Sequence, residues 1–128
     1  MENDRLTDKS TGTGLRRRRP TIGCLTPTIG RGDDLHQAFW LGLSDMARKR
    51  DVNLICFVGG GLFDPIGFQA QANVLYELVS AERVDGVVTW GTSICSYVGA
   101  DELVASHEHY RPLPVVIAGG ALEGFSSL

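Results

Sequence analysis

Apolar residues recur along this chain in two rhythms. Short continuous runs at 21–26, 52–58, 84–90 and 113–118 suit strands buried on both faces. Between them, apolar positions return every three or four residues, as on one side of a helix. Thr21–Thr26 is closed by Pro27, and Asp33 or Asp34 then caps a helix that runs to Arg50. Leu35, Phe39, Gly42, Leu43 and Met46 form its predicted buried stripe. Acidic residues at its start and Arg48, Lys49 and Arg50 at its end suit the helix dipole. The second strand, Val52–Val58, is broken by Gly59-Gly60-Gly61. Asp64-Pro65 reads as the start of a second helix running to about Glu82, burying Phe68, Ala72, Leu75, Leu78 and Val79. Val84–Trp90 is the third strand. The loop Gly91–Ser96 leads to a third helix over Ala100–Tyr110, and Leu113–Ala118 is the fourth strand.

Strands alternating with amphipathic helices predict an α/β fold: a doubly wound parallel sheet, flavodoxin-like, in strand order 2-1-3-4. After Ala118 come Gly119-Gly120 and a short polar stretch to Leu128, with no fourth helix. The fourth strand is therefore expected to be an open edge, completed by another chain or by more of a longer protein. Residues 1–20 are polar and read as a disordered basic tail, with Arg16–Arg19 solvated rather than bound to a phosphate or an acidic neighbour. Residues 21–128 form the domain.

Charge and composition narrow the function classes. The net charge of −3 offers no general attraction to nucleic acid or anionic membrane. No run approaches the roughly 20 apolar residues that span a bilayer. The arginine block is not followed by the apolar stretch of an export signal, and an odd count of cysteines without a disulfide framework leads to the expectation of a reducing, cytoplasmic location. Cys24, Cys56 and Cys95 are widely spaced, and the first two read as small apolar strand residues rather than as a metal pair or a disulfide framework.

Candidate chemistry lies in the loops after the strands, because a doubly wound sheet binds ligands outside its carboxyl ends. The first loop is the richest. Gly30 and Gly32 let its backbone bend, and Thr28, Arg31, Asp33, Asp34 and His36 supply polar groups. Asp64 stands in the second loop, and Trp90, Thr92 and Ser93 at the third. These nine residues are the candidate ligand contacts, with Trp90 offering a face for a sugar or base. The first loop is not a dinucleotide fingerprint, since Leu35 stands where the third glycine belongs, and it has no Gly-Lys-Ser/Thr. A phospho-receiver needs an acceptor aspartate after the third strand, where this chain has Thr89-Trp90-Gly91, so capping explains Asp33 and Asp34 better. His107 and His109 point to different faces of a helix, which argues against a metal site. No serine or cysteine is paired with a base, so no catalytic residue, metal or cofactor is assigned. An enzyme cradling a phosphate-containing cofactor in the first loop is the alternative.

The spaced motifs Thr21-Ile-Gly-Cys-Leu-Thr-Pro, Leu41-Gly-Leu-Ser-Asp-Met-Ala-Arg, Val52-Asn-Leu-Ile-Cys-Phe, Leu78-Val-Ser-Ala-Glu-Arg-Val-Asp-Gly-Val-Val and Pro114-Val-Val resemble the ligand-binding core of lac-repressor (LacI/GalR) family regulators. The resemblance covers residues 20–118. It implies the N-terminal lobe of a periplasmic-binding-protein-like type I fold that closes with a second lobe on a small ligand, often a sugar or nucleobase. It also implies that Thr28–His36, Gly59–Asp64 and Trp90–Ser93 contact that ligand, and a homodimer formed through this lobe. The family's DNA-binding headpiece has no counterpart here, so direct DNA binding is not expected. The first loop is about two residues longer than the family's, Gly119-Gly120 replaces its charged pair, and the second lobe is missing. On this reading the chain is a truncated, non-catalytic sensor lobe from a transcriptional regulator or signalling protein.

Overall fold

A computed structural model describes residues 18–30, 33–66, 68–94 and 99–128, with all their side chains except those of Gln69, Ala70, Thr92 and Ser93. The elements are β1 (Thr21–Thr26), α1 (Asp34–Lys49), β2 (Asn53–Val58), α2 (Gln69–Ala72), a 3-10 helix (Asn73–Leu78), β3 (Gly86–Trp90), α3 (Gly91–Ile94), α4 (Ala100–Glu108), β4 (Val115–Ala118) and β5 (Ser126–Ser127). The strands form one parallel sheet in the order β2-β1-β3-β4-β5. The predicted α/β class and the 2-1-3-4 order are therefore observed, with a fifth strand added.

Side-chain alternation sends each strand's residues into two separate cores. Cys24, Val88, Trp90 and Ala118 face α1, where Phe39 and Leu43 pack over them. Leu25, Phe57, Val87, Val115 and Ile117 face the other way, toward Tyr76, Val79, Leu103, Val104 and Tyr110. β3 lies inside the sheet with helices on both faces, so all five of its residues are buried. That double covering explains its unbroken apolar run.

The Val-Asp-Gly sequence that opens β3 has a physical role at the opposite, N-terminal edge. Val84 fills the core at 1% exposure. The Asp85 carboxylate accepts from the Thr21 N–H at 2.8 Å and from Arg18 at 2.6 Å, and the Asp85 N–H donates to the Thr21 carbonyl at 2.7 Å. The Thr21 N–H and then Arg18 hold this carboxyl below the usual carboxylate range. Arg19 pairs in turn with Asp51. Arg18 and Arg19 thus meet acidic neighbours of the domain rather than solvent alone. Arg16 and Arg17 lie outside the described residues.

Helix α1 agrees with expectation in its span, capped by Asp33, whose carboxylate accepts from the His36 N–H at 2.8 Å. Its buried stripe is shifted, however. His36 is the buried residue, and Phe39 and Leu43 pack on the sheet, whereas Leu35 and Met46 are exposed at 64% and 50%. In the first turn the inward place is taken by His36, whose ring is held by Thr26 and the Thr28 carbonyl, and Leu35 beside it stays exposed.

The second helix departs most from its prediction. No continuous helix runs from Asp64 to Glu82. The Asp64 carboxylate instead accepts from the Ile66 N–H at 2.9 Å, closing a local turn. Only one turn of α-helix follows before the chain tightens into the 3-10 helix. Asn73 fastens this segment to the glycine loop, accepting from the Gly60 N–H at 2.7 Å and donating to the Gly61 carbonyl at 2.8 Å. Tyr76 and Val79 are buried, while Phe68, Leu75 and Leu78 are exposed. With three residues per turn, a pattern spaced for an α-helix cannot keep its stripe on one side.

The fourth strand is not an edge. Ser126–Ser127 pairs with it in parallel, Val116 beside Ser126 and Ile117 beside Ser127. The connecting segment is anchored by Leu122, buried in the core, and by Arg111. Arg111 donates to the Gly124 carbonyl at 3.0 Å, pairs with Glu108 and lies over the Phe125 ring at 4.6 Å. The polar, exposed β5 carries no hydrophobic pattern, which is why periodicity did not reveal it.

Candidate ligand site at the carboxyl edge of the sheet

The carboxyl ends of β1 and β3 bring a compact polar and aromatic cluster to one edge. Thr26 ends β1, and its hydroxyl donates to the Thr28 carbonyl at 2.9 Å. His36 Nε2 lies 3.1 Å from Thr26 Oγ1 and 3.3 Å from the Thr28 carbonyl. Because that carbonyl can only accept, the network assigns the proton to Nε2. The imidazole meets the Trp90 ring edge-on, with centroids 5.5 Å apart. Phe39 stacks on the other side of this grouping, 4.4 Å from Trp90. Gly30, at φ 69°, turns the loop beside them in a conformation that glycine adopts without strain.

This arrangement places the nine predicted contacts unequally. Thr28 is half-buried and contributes its carbonyl to the His36 network. His36, at 5% exposure, and Trp90, at 6%, stand together, but they pack inward as the floor of the edge rather than projecting into a cleft. Asp33 is engaged as the cap, and Asp34 is exposed in the first turn of α1. Asp64 belongs to a separate turn after β2, where its carboxylate holds the Ile66 N–H. Thr92 and Ser93 lie in α3, expected as a loop, and their side chains are outside what is described; Arg31 is also outside the described residues. Sequence reasoning missed Thr26 and assigned Phe39 only to the core. A hydroxyl residue closing an apolar strand was the available signal for Thr26.

A groove of about 600 Å3 opens beside the loop after β2, and none of the nine predicted residues is among the described residues that line it. It runs beside the 3-10 helix and α4, with Phe63, Tyr76, Glu77, Ser106 and His109 along it. Among the described residues no group of three or more His, Cys, Asp or Glu side chains is placed to hold a metal ion. No described helix is long and apolar enough to cross a membrane.

A second histidine is built into the other core. His107, at 1% exposure, donates from Nδ1 to the Leu103 carbonyl at 3.0 Å and accepts at Nε2 from the Thr89 hydroxyl at 3.0 Å. Burial holds its pKa below the ordinary histidine value, against the hydrogen bond to Leu103. Tyr110 and Phe125 enclose the ring edge-on. His107 is thus a satisfied core residue, while His109 on the adjacent face is exposed, so the two do not converge.

The fold and edge define a doubly wound, flavodoxin-like α/β domain. No family model matches the chain, nor does any curated protein or solved structure.

Proposed function

We propose that this chain is a non-catalytic, small-ligand-sensing lobe of a cytoplasmic transcriptional regulator or signalling protein. The ligand would seat at the carboxyl edge of the sheet, where Thr26, Thr28, His36 and Trp90 gather. That convergence on the position where doubly wound sheets bind ligands is the observation carrying the reading. The motifs resembling lac-repressor family cores support it, and they extend it to a sugar or nucleobase ligand and to a homodimer. Closure of a second lobe over the same ligand would shift a two-state equilibrium read by an output module.

Isothermal titration of the chain against a panel of sugars and nucleobases tests the proposal. One lobe supplies only part of the contacts, so the expected Kd is weaker than ~0.1 mM. Micromolar affinity would contradict the two-lobe account. A flavin released on heating the purified chain would favour cofactor binding instead.

A further inference from the structure

Cys24 and Cys56 are widely separated in sequence but directly opposed in register on β1 and β2. Both face α1: Cys24 is part of the buried cluster there, and Cys56 packs against it. Both are free thiols, Cys24 buried and Cys56 half-buried on an edge strand. The paired register puts the two side chains next to each other on the same face of the sheet. Neighbouring strands are about 4.8 Å apart, which falls within the roughly 4.4–6.8 Å Cα separation that a disulfide accepts.

We infer that Cys24 and Cys56 form a dithiol modification site that a small-molecule disulfide oxidises to a reversible cross-strand bond. The two thiols have different roles. The neighbouring Cys24 thiol lowers the pKa of Cys56, while Cys56 and then burial raise the pKa of Cys24. Cys56, the more accessible sulfur, attacks the small disulfide, forming a mixed disulfide and releasing one thiolate. Capping Cys56 takes its thiolate from beside Cys24, so ionising Cys24 no longer sets two negative sulfurs together. Cys24 then loses its proton and attacks the Cys56 sulfur, releasing the second thiolate. Two protein thiols are oxidised, one small disulfide is reduced to two thiols, and the protons leave with them. The new bond ties the edge strand β2 to β1 two residues before both strands end at Thr26 and Val58, fixing the spacing of the first and second loops.

The test uses the full chain carrying Cys95→Ser, since Cys95 lies outside the described residues. Folded protein is incubated with oxidised glutathione, quenched in acid and measured by intact mass and maleimide labelling. The expected product has lost two hydrogens and both labelling sites, and dithiothreitol restores them. Adding Cys24→Ser should halt the reaction at a glutathione adduct on Cys56. Adding Cys56→Ser should leave Cys24 unmodified. Peptide mapping of the unsubstituted chain should join the peptides holding Cys24 and Cys56, which keeps the test valid if a variant folds poorly. A folded chain that retains both thiols, stops at the adduct with Cys24 present, or cross-links through Cys95 would overturn the inference.

Discussion

At the scale of single residues, buried polar side chains and one glycine carry the firmest expectations. His107 is neutral in the core, and Tyr110 is the titratable group facing it. Its folded pKa lies below the unfolded value, so the unfolded chain takes up the proton more readily. The stability it provides is complete above the unfolded histidine pKa. It is lost as pH falls from that value toward the depressed folded one. Urea denaturation at a series of pH values between 7.5 and 5 should show this loss, and His107→Gln should flatten the dependence in that window. Gly59 is equally constrained: a Cβ there would sit 2.5 Å from the Tyr76 ring, whose hydroxyl is tied to the Gly60 carbonyl at 2.9 Å. Gly59→Ala should cost about 1–3 kcal/mol by overpacking, read from the denaturation midpoint. An unchanged midpoint would mean that Tyr76 moves aside freely.

The scale of elements shows what the residue pattern could and could not reveal. The four principal strands were legible because each is a continuous apolar run, fully buried in β3 and still apolar in the half-buried edge strand β2, and the sheet order followed from the crossovers. Helix α1 was legible because Asp33 caps it and charges mark both ends. Asp33→Ala should therefore destabilise the protein by about 1 kcal/mol, seen as a lower Tm. The second helix was misread because Asp64 and Asn73 commit their side chains to local backbone, a competition that apolar spacing does not register. β5 was missed for the converse reason: its serines have no apolar pattern, and it is held from outside by Leu122 and Arg111. Leu122→Ala should cost about 2–5 kcal/mol and accelerate amide exchange at Ser126 and Ser127. Loss of stability with exchange there unchanged would detach β5 from that anchor.

For the molecule as a whole, the candidate site was legible as a location more than as a set of contacts. The carboxyl edge follows from the topology, and its members at Thr28, His36 and Trp90 were picked out from their positions in the loops. Their orientation was not, because a histidine bonded to Thr26 and a tryptophan stacked on Phe39 serve the core and the edge together. Such residues fix the floor on which a ligand would rest, leaving the neighbouring backbone to contact it. The central claim is that this edge binds the ligand, and amide chemical-shift mapping during titration with a binding sugar or nucleobase tests it most directly. The account predicts shifts concentrated at residues 26–30, 33–36 and 89–94, together with the Trp90 indole. Saturable shifts confined to the opposite edge, at 18–20, 50–53, 83–86 and 111–114, would contradict it.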